Sequence, residues 1–178
     1  MTHHPKPQLS LRAGMTTIGI GFLFAASLNA APAVATPASG FTAVQQWKGV
    51  YPSLKINTET DRRTDKDDNW DVKLMTKDTS DVYVTRNAIA VDGQSGWHSH
   101  PGPSLITVTV GEITAYESTD PLCSPKRYGA GEGFVDSGDH AHILRNESGA
   151  PAETVAVQFL ATGSTRRIDE PAPGNCSF

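Results

Sequence analysis

Residues 96–101 read Gly-Trp-His-Ser-His-Pro, and residues 140–146 read His-Ala-His-Ile-Leu-Arg-Asn. Each stretch carries two histidines one residue apart, His98 with His100 and His140 with His142. Alternate side chains of a β-strand share a face, so a His-x-His pair on a strand sets two imidazoles on one surface. Two neutral imidazoles so placed suit a divalent transition-metal cation, and a third from a facing strand would complete a triangular set of donors.

The surrounding pattern supports strands. From residue 71 onward, short runs rich in Val, Ile, Thr and Tyr alternate with Gly, Pro, Asp and Ser. The spacing predicts strands over 71–76, 81–91, 96–100, 104–110, 113–117, 133–136, 140–145 and 154–161, with no helix among them. That is the pattern of an all-β sandwich or barrel. Val110-Gly111-Glu112-Ile113 reads as the tight turn of a hairpin between two of these strands. Residues 36–56 show no firm period. Residues 57–70 (NTETDRRTDKDDNW) read as a polar, charge-mixed loop.

Taken with Gly111 after the first and Gly131 before the second, the two histidine stretches resemble the paired motifs of the cupin family. They agree with those motifs at His98, His100, Gly111, Gly131, His142 and Asn146. They depart from them at Asp92 and Asp139, where the motifs have Gly, at Ser104, where they have Glu, and at Ser137, where they have Pro. The resemblance implies an all-β double-stranded β-helix, a jelly-roll-like barrel. It divides the chain into residues 36–70, an N-terminal extension and polar loop entering the barrel, residues 71–167, the barrel, and residues 168–178, a tail.

The resemblance also implies a metal held by His98, His100 and His142, with iron, manganese, zinc, copper or nickel as candidates. His142 rather than His140 is the third ligand because it stands in the His-x-x-x-Asn spacing with Asn146. With Ser104 in place of the Glu, water or substrate completes the site, and Asp139 or His140 stands close enough to take part. A homodimer is a further expectation from the resemblance. Trp97, beside the first ligand, is expected to serve packing more than ligand binding. Asn146 and Asn175 each open an Asn-x-Ser sequence, the N-glycosylation pattern.

The first 35 residues differ from the rest. His3, His4, Lys6 and Arg12 make a polar, basic start, residues 15–30 (MTTIGIGFLFAASLNA) are almost wholly apolar, and small residues follow as APAVATPASG. That order is a secretory leader, with cleavage after Ala35 or after Ala30. The apolar run is shorter than a spanning helix needs and is interrupted by Thr16, Thr17, Ser27 and Asn29, so no membrane span is expected after processing. In an exported chain the two cysteines, Cys123 and Cys176, read as a disulfide tying the tail to a mid-chain loop. The expected location is secreted or extracytoplasmic.

The net charge of −4 and the lack of a Lys/Arg run speak against nucleic acid as a partner. A small-molecule ligand is the expected partner. Two functions remain open: a metal-dependent enzyme, an oxygenase acting on a small molecule, or a non-catalytic module that binds a small molecule or a metal. Without Glu at position 104 one proton-transfer group is missing, which favours oxygenase or binding over isomerase chemistry.

The leader fixes the first expected outcome. Exported material should begin within residues 31–39 by intact-mass measurement, whereas a full-length mass from the membrane fraction would show that the leader stays on.

Overall fold

The computed structural model describes residues 34–60 and 70–178, together with Met1. The leader's apolar run at 15–30 and residues 61–69 of the polar loop lie outside the described residues. All the regular elements described are strands, and none is a helix long and apolar enough to cross a membrane.

Ten strands form one sheet that curls into a jelly-roll-like barrel. One wall joins β1 (Ser39–Tyr51), β4 (Ser80–Gln94), β11 (Ala152–Ala161), β6 (Ser104–Val110) and β9 (Gly133–Asp136), each antiparallel to its neighbour. The other wall joins β12 (Ile168–Asp169), β5 (His98–Ser99), β10 (His142–Arg145), β7 (Glu112–Glu117) and β8 (Lys126–Gly129). The walls meet where Arg145 of β10 pairs with Gln94 of β4. A separate hairpin is made by β2 (Lys55–Thr60) and β3 (Trp70–Met75).

Period-2 patterning sorts the interior along its length. From Thr85 onward the buried side chains of β4 run Thr85, Asn87, Ile89, and on β6 they run Ser104, Ile106, Val108. Both strands therefore pass from polar to apolar in the same direction. At the apolar end Ile89, Val108, Ile113, Ala115, Leu144 and Ala152 close the barrel, with Phe41, Tyr128 and Phe134 against them. The polar end stays open, and the histidines lie there.

Several local expectations need correction. Residues 104–110 and 112–117 are not a hairpin: β6 pairs with β9 and β11, whereas β7 pairs with β8 and β10. Gly111 turns the chain from one wall to the other instead. Its φ is +70°, and a Cβ there would sit 2.6 Å from the Pro151 carbonyl, so only glycine fits. The stretch without a firm period contains β1, which runs antiparallel along β4 and leaves most of its side chains exposed. Backbone pairing recruits it, and since it buries no face it carries no periodic signal. Lys55–Thr60 at the start of the polar loop is likewise a strand. β8 and β12 were not foreseen at all, being four and two residues long. Asp92, at the first motif's glycine position, has φ +59°, a left-handed conformation that aspartate tolerates better than most residues.

Asn146 holds the wall junction. Its Nδ2 donates to the carbonyls of Ile89, Ala90 and Ala150, and its Oδ1 accepts from Ser148. It is 1% exposed, so in the fold it is a structural hub and not an accessible glycosylation acceptor. Trp97 is buried against Tyr116 and Ile143 on the outer face of the second wall, with Cys123 and Cys176 packed beside it.

Those two cysteines are disulfide-bonded across 53 residues. The bond seats the tail on the Trp97 cluster, and Asn175 adds hydrogen bonds to the Glu117 and Asp120 carbonyls. In the chain-entropy account, closing such a loop contributes at most about 4 kcal/mol. Reduction, or Cys176→Ser, should therefore lower the unfolding free energy by an amount of that order in a denaturant titration. An unchanged midpoint would show that the tail docks without the bond.

Candidate metal centre

His98 and His142 lie opposite each other in the β5–β10 ladder, so strand pairing itself puts the first motif's imidazole beside the second motif's. The ring centroids are 4.3 Å apart for His98 and His142, 4.8 Å for His98 and His100, and 5.4 Å for His100 and His142. One nitrogen from each of the three falls within 4.8 Å of the others. The structure thus brings together all three residues that the motifs single out. His98 and His142 are each 5% exposed, and His100 is half-buried.

The backbone sets the orientation of two rings. His98 Nδ1 lies 2.9 Å from the Gly96 carbonyl, and His100 Nδ1 lies 2.7 Å from the Arg166 carbonyl. A carbonyl only accepts, so both Nδ1 atoms carry the proton and both Nε2 atoms present a lone pair. His142 has no hydrogen-bond partner at either ring nitrogen among the described residues. Ser95 fixes the frame: its N–H donates to the Leu144 carbonyl, and its hydroxyl accepts from the Leu144 N–H.

Electrostatics keeps the cluster neutral. Burial pushes His98 down from 6.5 to about 2, helped by the nearby His142 and by the Arg167 charge. Burial also holds His142 down, to about 4, although Asp136 works in the opposite direction. His100 is lowered by burial too, against the pull of the Arg166 carbonyl and Asp136. Buried, unprotonated imidazoles with unused lone pairs are the donor set a divalent transition metal requires, so the residues present fit such an ion.

His140 is not part of this cluster. The chain bends over 138–140 and β10 begins at His142, two residues later than its pattern implies, so strand parity does not carry His140 inward. Its Nδ1 lies 2.6 Å from Asp139 Oδ1, and its Nε2 lies 3.6 Å from Glu117 Oε2. Asp139 points outward with it.

Two residues that the sequence reading passed over stand at the site. Asp136, 7% exposed, places Oδ1 3.5 Å from His142 Nδ1 and Oδ2 3.6 Å from His100 Nε2. Arg166 lines the cavity that opens from the histidines. That cavity, about 300 Å³, is bounded by the three imidazoles, Thr85, Asn87, Ser104, Gln158 and Arg167, with Phe41, Ile106 and Leu144 at its apolar side.

Comparison with protein-family models gives no match, and neither does comparison with curated proteins. Solved structures match part of the chain. An oxalate oxidase is 22% identical over 49% of this chain and 45% of its own, with a TM-score of 0.43. The polyketide cyclase RemF from Streptomyces resistomycificus is 15% identical over 53% of this chain and 65% of its own, with a TM-score of 0.43. A cupin-like protein from Thermotoga maritima is 15% identical over 51% of this chain and 65% of its own, with a TM-score of 0.45. This chain spans less than half the length of the oxalate oxidase. Each of these matches covers about half of this chain.

Depressed histidines give the metal-free protein a pH dependence of definite sign. Below 6.5 the unfolded chain binds protons that folded His98 and His142 refuse, so stability falls as pH falls. The loss is at most on the order of 1 kcal/mol per histidine per pH unit. Chelator-treated protein should thus show a falling denaturation midpoint from pH 7 to 5, and His98→Gln should flatten that slope.

Proposed function

We propose that the barrel binds one divalent transition metal through His98, His100 and His142 and is a metal-dependent enzyme, an oxygenase before other classes, acting on a small anionic molecule. The leader and the disulfide support an extracytoplasmic setting for it. What carries the reading is the cavity: three neutral imidazoles at its base and an arginine on its wall.

Arg166 is a cation with only neutral partners among the described residues. Its Nη1 donates to Gln45 Oε1 at 3.0 Å and its Nη2 to Thr85 Oγ1 at 2.8 Å, while Nε lies 3.5 Å from Gln158 Oε1. The guanidinium rests over the Tyr83 ring, 4.6 Å from its centroid. No described carboxylate lies within ion-pair distance of it. A half-buried guanidinium, held by neutral acceptors and with donors to spare, is suited to a carboxylate or similar planar anion. The Arg166 carbonyl meanwhile orients His100, so one residue serves both the anion position and the metal ligand.

A metal at the three imidazoles would supply a Lewis-acidic or redox-active centre with positions open toward the cavity. The chain's own part is to hold the anion with Arg166, to offer Asn87 and Gln158 as amide partners, and to limit water with Phe41, Ile106 and Leu144. One observation favours a non-catalytic binding module instead. Among the described residues the cavity is lined by no carboxylate, lysine, tyrosine or cysteine, so proton transfer has no dedicated group there.

The test joins metal analysis, calorimetry and oxygen uptake. Wild type should bind about one metal per chain, His98→Ala, His100→Ala and His142→Ala should each lose most of it, and His140→Ala should keep it. Short aliphatic mono- and dicarboxylates should bind the loaded protein. Arg166→Gln should weaken them about tenfold or more, the effect of losing a charge-assisted pair, with metal content unchanged. Oxygen uptake with a bound carboxylate supports the oxygenase; binding without turnover across the loaded metals supports the binding module. A wild type that takes up no metal under any loading condition overturns both.

A further inference from the structure

We propose that Asp136 is the fourth protein donor of the metal centre, binding through Oδ2; this rests on the three-histidine reading. In the β6–β9 ladder Asp136 lies directly opposite Ser104. Residues paired across an antiparallel ladder point their side chains to the same face, and here that face is the interior, with Ser104 2% and Asp136 7% exposed. The barrel thus has a position at the base of the histidine cluster that two facing strands can reach, and the carboxylate comes from β9.

Asp136 is held so that one oxygen is committed and the other is aimed. The N–H of Gly138 donates to Oδ1 at 2.9 Å. Gly138 has φ +84°, and a Cβ there would meet the Gly102 carbonyl at 2.4 Å, so this turn requires glycine. Oδ2 is buried and has no hydrogen-bond partner among the described residues. It lies 3.6 Å from His100 Nε2, whose lone pair is free because Nδ1 donates to the Arg166 carbonyl.

A buried carboxylate oxygen without a donor therefore faces the free lone pair of a half-buried imidazole. Such an arrangement is costly unless a positive charge lies there. Two donors each about 2.1 Å from one ion stand roughly 3 to 3.5 Å apart, close to the spacing seen. A carboxylate with three imidazoles also lowers the net charge of a bound dication, and in a six-coordinate ion it leaves two positions for substrate.

The test is Co(II) affinity by chelator competition, read together with the visible absorption of the Co(II) protein. Asp136→Asn keeps the Oδ1 contact to Gly138 and should weaken Co(II) by about tenfold or more while changing the spectrum; Asp139→Asn should do neither. Adding Ser104→Glu to Asp136→Asn should restore most of the affinity, because the opposite strand then delivers a carboxylate to the same place. A residue that only positions His142 would not be replaced in this way.

Wild-type protein carrying carboxyl-13C aspartate gives an answer independent of any variant's folding. Adding Zn(II) should shift the stretching bands of one carboxylate in the infrared difference spectrum. Wild-type affinity and spectrum in Asp136→Asn, or no carboxylate shift in wild type, overturns the assignment of Asp136 and leaves the three-histidine site standing. If wild type binds neither Co(II) nor Zn(II), the three-histidine reading falls and this one falls with it.

Discussion

Burying an imidazole is tolerable only while it stays neutral, and a neutral imidazole always keeps one nitrogen that must accept something. His98, His100 and His142 meet this constraint together in one small volume. Two of them spend their proton on backbone carbonyls, which turns the accepting nitrogens of both away from the backbone. A well-packed core would supply donors to such atoms, as it does for most buried polar groups. Here the polar group beside His100 and His142 is Asp136, another acceptor. The rest of the molecule can be read as what is needed to keep this unsatisfied cluster in place.

Much of the support comes from outside the long strands. His100 follows the two-residue strand β5, which is paired on one side to β10 and on the other to β12. The last long strand, β11, ends at Ala161, and the segment beyond it, which includes β12, does most of the remaining positioning. Arg166 holds His100 through its carbonyl, and Arg167 donates to the Ser95 carbonyl. Glu170 accepts from the Ser99 hydroxyl, and its N–H donates to the Trp97 carbonyl. The N-terminal segment adds to this edge, with Thr36 Oγ1 accepting from the Trp97 N–H and the Thr36 N–H donating to the Glu170 carbonyl. A chain cut after Ala35 would keep both bonds.

What could be read from the sequence follows from how each feature is encoded. The barrel was legible because β4, β6 and β11 bury one face and alternate, and the histidine trio because His-x-His and His-x-x-x-Asn are local spacings. β1 was not, since it pairs through its backbone and leaves its side chains to solvent. The direction of the turn at Gly111 was not legible either, because a glycine with φ above zero serves a hairpin and a crossing between walls equally well. Asp136 was hidden for a different reason. Nothing in the run Phe134-Val135-Asp136-Ser137 marks its carboxylate as inward, and only the pairing of β6 with β9, decided far along the chain, sets it opposite Ser104. Arg166 likewise gains its meaning from Thr85, Gln45 and Gln158, residues brought to it by three other parts of the barrel wall.

The arrangement divides labour between the two ends of the barrel. The apolar end, with Val108 and Ile113 wholly buried, meets the ordinary requirement for stability and asks nothing of a ligand. The polar end accepts a cost in burial for His98, His142 and Asp136, which an added positive charge would relieve. A site built this way need not be rigid along its whole length, because the strands that carry it are anchored in the apolar half. Rigidity matters most at β5, a two-residue strand that carries His98 and leads into His100. The tail supplies that rigidity, and the disulfide keeps the tail from leaving. The bond therefore belongs to the histidine end of the molecule: it holds the tail that continues from β12, the strand paired with His98 and Ser99.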